Sequence, residues 1–105
     1  MPEFVTIRRW SLRDGASEQT LIEHVRDGLI PAYREQPGCL QLELLRMSEP
    51  RSYLAVTHWD ARSSYAAWAG AAGESWRGKH RAQIERWLEL VSFQAEWDAE
   101  EIAST

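Results

Sequence analysis

The stretch WAGAAGESWRGKH (68–80) holds four residues of types that act on small molecules: Trp68, Trp76, Arg77 and His80. On one continuous helix, Trp68 and His80 would stand about three turns apart. That spacing would let an indole wall and a proton-exchanging imidazole share one pocket. The pair also reads as two core residues of an aromatic-rich helix. His58 comes just before Trp59 and shares an alternating face with Leu54 and Val56, so it is either a base for an acidic substrate proton or a packed core residue. His24 lies beside Leu21 and Val25, where it could enter a space between a helix and a sheet. Arg8, in the middle of FVTIRRW, alternates with Thr6 and points either into a polar cavity or out to water. In a cavity its permanently charged fork of donors would hold an enolate or phenolate oxygen.

Other chemistries are poorly supported. The three His are far apart, with no H-x-x-x-H and no carboxylate cluster, so no metal site is expected. Gly70, Gly73 and Gly78 punctuate helices and do not form a phosphate loop. No Ser-His-Asp arrangement follows from spacing. Cys39 is alone, which excludes an internal disulfide. The net charge of −4 argues against nucleic acid and anionic membrane as partners. No apolar run approaches the ~20 residues of a membrane span, and MPEFVTIRRW lacks the features of a signal peptide, so a cytoplasmic protein is expected. The unusual feature is six Trp in 105 residues: Trp10, Trp59, Trp68, Trp76, Trp87 and Trp97. They imply either a cavity walled by flat rings, suited to an aromatic ligand, or an aromatic core with a dimer interface.

Positioning these residues requires a scaffold. Residues 4–10 alternate, with Val5, Ile7 and Arg9 on one face and Phe4, Thr6, Arg8 and Trp10 on the other, which predicts a strand. Ser17 is a candidate cap for a helix that falters near Pro31 and ends before Pro37-Gly38. CLQLELLRM (39–47), with Leu40, Leu42 and Leu44 on one face, and YLAVTHW (53–59) form a hairpin across SEPRS. A helix follows from Asp60, then a second helical piece on which Trp76, His80, Ile84 and Trp87 share one face. The last strand is LELVSFQAEW (88–97), and an acidic tail (98–105) ends a single domain, residues 1–105. The order β-α-β-β-α-β predicts an α+β, ferredoxin-like sheet with helices on one face. Its strands carry apolar residues on both faces, so the uncovered face calls for a second copy, a homodimer.

The segment QPGCLQLELLRMSEPRSYLAVTHWDARSSYAAWAG resembles the antibiotic biosynthesis monooxygenase superfamily through Pro37-Gly38, LELLR (42–46), THW (57–59) and YAAW (65–68). The resemblance spans about residues 4–97 and implies a dimeric α+β barrel. It implies a cofactor-independent monooxygenase that oxidises an aromatic or polyketide-like molecule with O2. In that reading Trp68 walls the pocket, Arg8 stabilises an anionic oxygen and His58 is the candidate base, with His80, Arg77 and His24 as further pocket residues. The superfamily's haem-degrading branch supplies an alternative. Trp68 matches its pocket Trp, its strand-one Asn falls on Arg8, its haem-ligating His falls on Arg77, and His80 lands on a non-ligating His of some members. A third reading is a dimeric domain that binds a small ligand without catalysis.

Overall fold

The computed structural model describes residues 2–104. Strand β1 (Phe4–Leu12) is followed by helix α1 (Glu18–His24), a π-helical turn (Val25–Leu29) and helix α2 (Ile30–Arg34). Ser17 starts α1, its hydroxyl accepting from the Thr20 amide at 3.1 Å. The faltering expected near Pro31 takes the form of the π turn. Pro31 has no N–H and its ring would meet a carbonyl one turn back, and the chain widens there, the Ile30 amide bonding the Val25 carbonyl five residues back.

The hairpin is β2 (Cys39–Arg46) and β3 (Ser52–Trp59). Gly38 turns into it with φ +84°, where a Cβ would also run into Ser64 and Asp60. Leu40 is the extra residue of a bulge and is exposed, so it leaves the face shared by Leu42 and Leu44. Helix α3 (Arg62–Ala69), a short 3₁₀ turn (Ala71–Gly73), helix α4 (Glu74–Lys79) and helix α5 (Arg81–Leu90) lead to β4 (Val91–Glu100). Two boundaries differ from expectation. The helical piece after Gly73 breaks at His80, whose φ −106° and ψ 23° separate α4 from α5. Helix α5 also continues to Leu90, so the last strand starts at Val91 and takes in Asp98–Glu100 from the supposed acidic tail.

The sheet is antiparallel in the order β2-β3-β1-β4, the ferredoxin-like arrangement. Register fixes its two faces. Phe4, Thr6, Arg8, Trp10 and Leu12 of β1 share one face with Trp59, Thr57, Ala55 and Tyr53 of β3, and this is the helix-covered side. At one end of that side Leu12, Leu21, Leu29, Tyr53, Trp87 and Val91 form the buried core. Glu18 ties α1 to the sheet there, accepting from Arg46 and from the Tyr53 hydroxyl, and these bonds hold its carboxyl down at about 2. The opposite face carries Val5, Ile7, Leu54, Val56 and Trp97, and Trp97 is 51% exposed. Among the described residues no helix is long and apolar enough to cross a membrane.

Candidate functional site

Beyond the core, the space between sheet and helices opens into a cavity of about 300 Å³, at the lower end of the range for small-molecule sites. Trp68 stands at the centre of its wall. Its ring lies 5.6 Å from Tyr33, 5.6 Å from Trp59, 6.0 Å from Tyr65 and 5.7 Å from Trp76, centroid to centroid. Tyr65 and Trp68 reach the cavity together because residues three apart share a helix face. Tyr33 arrives from the end of α2, Trp59 from the end of β3 and Trp76 from α4. The rings meet tilted or edge-on, as their quadrupoles favour. Leu29, Leu42, Leu44 and Ile84 complete an apolar lining, and Trp10 and Trp87 close the core end.

The polar groups are few. Arg8 lines the cavity, with its Nε 3.1 Å from Glu96 and its Nη1 3.0 Å from Asp98 and 3.1 Å from the Trp97 carbonyl. Its Nη2 donates to the Tyr65 hydroxyl at 3.1 Å. Burial alone would lower its pKa, yet the bond to Asp98 and the charges of Asp98 and Glu96 leave it raised. Two carboxylates therefore neutralise Arg8, and it acts on the cavity through Tyr65. With an oxygen lone pair taken up by Arg8, Tyr65 has its O–H left to give. Burial pushes the Tyr33 phenol above its ordinary value, which keeps it protonated. The Trp76 indole N–H donates to the Ala32 carbonyl at 2.7 Å, while those of Trp10, Trp59 and Trp68 have no partner among the described residues.

Arg77 also lines the cavity, and its guanidinium is committed to the backbone. Nη1 donates to the Trp68 carbonyl at 2.6 Å and Nη2 to the Gly70 carbonyl at 2.9 Å, which satisfies the end of α3. Gly73 lets the chain pass close under this end; a Cβ there would overlap the Trp68 carbonyl oxygen. Arg77 and Gly73 together fix the residue that carries the central ring.

Of the residues singled out in the sequence, the fold brings Trp68, Arg8 and Arg77 to the cavity and leaves the three His outside its lining. His58 lies on the opposite sheet face, its ring nitrogens 3.0 Å from Glu3 and 2.7 Å from Glu43. His24 bonds the Gln83 carbonyl at 2.8 Å and ties α1 to α5. His80 is buried at the break between α4 and α5, its ring tilted against Trp76 with centroids 5.0 Å apart and its Nε2 3.2 Å from Glu35. Sequence reasoning missed Tyr33 and Tyr65. The spacing of Tyr65 to Trp68 was the available signal for one; the other had none.

Comparison with known proteins agrees with this architecture. The family model described as antibiotic biosynthesis monooxygenase matches residues 4–73, two thirds of the chain, which include Arg8, Tyr65 and Trp68. SnoaB, a cofactor-independent oxygenase from Streptomyces nogalater, is similar in structure with TM-score 0.73 at 12% identity, covering 99% of this chain and 97% of its own. The haem degrader MhuD from Mycobacterium tuberculosis, solved with two haems in its active site, has TM-score 0.73 at 23% identity, covering 97% and 98%. HapK from Hahella chejuensis has TM-score 0.76 at 14% identity, covering 97% and 95%. No curated protein sequence matches.

The clamp on α3 makes a stability prediction. Arg77→Met removes charged donors from the Trp68 and Gly70 carbonyls, so a free energy of unfolding lower by about 1–3 kcal/mol, with a lower midpoint, is expected in denaturant titration. An unchanged midpoint would show that water replaces the guanidinium at no cost.

Proposed function

This chain belongs to the antibiotic biosynthesis monooxygenase family, and we propose that it oxidises a flat aromatic molecule with O2, using neither metal nor organic cofactor. One observation carries the reading: on the wall of a Trp-lined cavity, Arg8 holds the Tyr65 hydroxyl at 3.1 Å with the phenol proton left to give. The rings of Trp68 and Trp76 would bound the plane of the substrate, with the fully buried Trp59 ring backing Trp68. Tyr65 would donate to a substrate oxygen as negative charge collects on it, the stabilisation that lowers a barrier most in a water-poor site. Arg8 positions Tyr65 and does not itself touch the substrate.

The chemistry follows from the substrate. A ring CH2 conjugated through an aryl ring to a carbonyl, as in an anthrone, loses a proton to solvent, and the electron pair delocalises onto that carbonyl oxygen, which Tyr65 holds. That carbanion gives its electrons to O2, a C–O bond forms, and elimination of water leaves a ketone. The sum is CH2 + O2 → C=O + H2O. The proton acceptor in this scheme is water, since the imidazoles of His24, His58 and His80 do not line the cavity.

Haem does not fit this donor set. Imidazole, thiolate, thioether and phenolate are the side chains that hold haem iron. The lining offers two phenols, with Tyr65 bound to Arg8 and Tyr33 kept protonated by burial. Arg77, at the position that resemblance gives to a ligating His, has no lone pair for iron and is bonded to backbone carbonyls.

The unpartnered sheet face supports a homodimer. Val5, Ile7, Leu54 and Trp97 form an apolar surface, and an identical surface turned about a two-fold axis would cover it. In this proposal His58, Glu3 and Glu43 belong to the dimer face, and the catalytic cavity lies on the far side of the sheet.

Three measurements test these readings. Oxygen uptake is expected with anthrone- or quinol-type substrates in the presence of chelator, falling roughly 100-fold in Tyr65→Phe and also falling in Trp68→Phe. No uptake across such a panel, or full uptake in both variants, would overturn the reaction. Haemin titration is expected to leave the Soret band of free haemin unshifted, and a sharp shift at one equivalent would restore the haem reading. Sedimentation at micromolar concentration is expected to give twice the 12.1 kDa chain mass and a monomer for Trp97→Glu, whereas a wild-type monomer would exclude the dimer.

A further inference from the structure

The imidazole of His58 sits between two carboxylates on the sheet face away from the cavity. Its Nδ1 lies 3.0 Å from Glu3 and its Nε2 2.7 Å from Glu43. Register accounts for the meeting. His58 pairs with Val5 of β1 on one side and Gln41 of β2 on the other, and Glu3 and Glu43 stand two residues along those flanking segments, on the same face. A carboxylate oxygen only accepts, so a ring nitrogen bonded to one has to donate, and both nitrogens donate only in the imidazolium form. With that proton bound, both bonds are made and one of the two negative charges is neutralised. Without it, one nitrogen turns a lone pair toward a carboxylate at bonding distance, and both negative charges stand.

Little else on that face balances the acids. Beside the trio β1 presents Val5, β2 Gln41, β3 Val56 and β4 Ala99, none of them charged. Glu101 adds a further acid, exposed beside Glu3, its amide donating to the Glu3 carbonyl at 2.9 Å. Among the described residues the strand cation on this face is Arg9, toward the other end and paired with Glu49. In the single chain the His58, Glu3 and Glu43 side chains are 25%, 32% and 34% exposed, so water screens a change in their charge. Val5 joins the trio to the apolar surface, so a second copy laid over Val5, Ile7, Leu54 and Trp97 would strip that water away. Unbalanced charge is costly in such surroundings. A two-fold interface uses the same surface twice, so each dimer would seal in two such clusters.

We infer that His58 is a proton sensor for the dimer: its imidazolium form lets Glu3 and Glu43 be buried between two copies, and loss of the proton drives the copies apart. The inference rests on the homodimer reading and adds to it a control by pH. Its sign follows from linkage. The covered state holds the imidazolium more firmly than the open chain does, so pairing takes up protons. Pairing therefore weakens as pH rises through the range in which an imidazole gives up its proton. His24 and His80 are bonded on the helix side, to the Gln83 carbonyl and to Glu35, and stand apart from this face.

Sedimentation equilibrium at fixed ionic strength, at about pH 6 and about pH 8, brackets that range. The Kd of the wild-type dimer is expected to be about tenfold or more higher at the upper pH. His58→Gln keeps one donor and has no proton to lose. It is expected to pair more weakly than the wild type at the lower pH, with the same Kd at both. Nitrogen-15 spectra of the wild-type imidazole give a readout that needs no variant: in the dimer at the lower pH, both His58 ring nitrogens are expected to carry hydrogen. A wild-type dimer with equal Kd at both pH values, or with a neutral His58 at the lower one, overturns the sensor and keeps the dimer. The wild-type slope persisting in His58→Gln overturns the sensor as well. A wild-type monomer at both pH values overturns the homodimer reading, and the sensor with it.

Discussion

The contact of Trp68 with four other rings sets the distance between the helices and the sheet. Tyr33, Trp59, Tyr65 and Trp76 come from α2, β3, α3 and α4, so one cluster fixes four elements at once. Rings of this size meeting edge-on hold helices α3 and α4 off the sheet farther than aliphatic side chains would. Toward Leu12 and Val91 the same layer closes into a packed core. Between the two lies the cavity, so packing and site are made by the same residues. The clamp of Arg77 on the Trp68 and Gly70 carbonyls keeps the central ring from drifting where α3 ends.

Charge is arranged on the same plan. Glu96, Asp98 and Glu100 fall on alternate positions of edge strand β4, facing the helix side. Glu96 and Asp98 pair with Arg8, and Glu100 pairs with Arg62, whose guanidinium also lies 4.7 Å over the Phe4 ring. A guanidinium beside an apolar cavity would be costly unpaired. The carboxylates of β4 stabilise it there and leave Nη2 to orient Tyr65. An acidic segment that composition alone marks as a solvated tail is therefore part of the wall behind the site.

Alternation in FVTIRRW, the turn at Pro37-Gly38 and the apolar hairpin were enough to place β1, β2 and β3 and the ferredoxin-like order. Alternation also groups residues onto faces, but it cannot tell which face the helices will cover. Both faces of β1 are apolar enough to qualify, and only the covered one brings Arg8 to the cavity while sending His58 to the other side of the sheet. The Trp76-His80-Ile84-Trp87 spacing suited an unbroken helix; the chain breaks at His80, where the ring packs at a tilt against Trp76 and bonds Glu35 instead of entering the cavity. Trp68 was legible because resemblance pointed to it. Tyr33 was not, since it follows a Pro-disturbed turn whose π geometry shifts the helix face in a way no 3.6-residue pattern encodes.

The central claim is that the space behind Trp68 is open and that Arg8 holds the Tyr65 hydroxyl at its wall with the proton left to give. A crystal structure at a resolution that shows ordered solvent tests it most directly. The expected result is density in the cavity, from solvent or an added planar ligand, with an acceptor atom near 3 Å from the Tyr65 hydroxyl. Rings of Trp68 and Trp76 collapsed onto the sheet, with no space behind them and no density beside the Tyr65 hydroxyl, would contradict it.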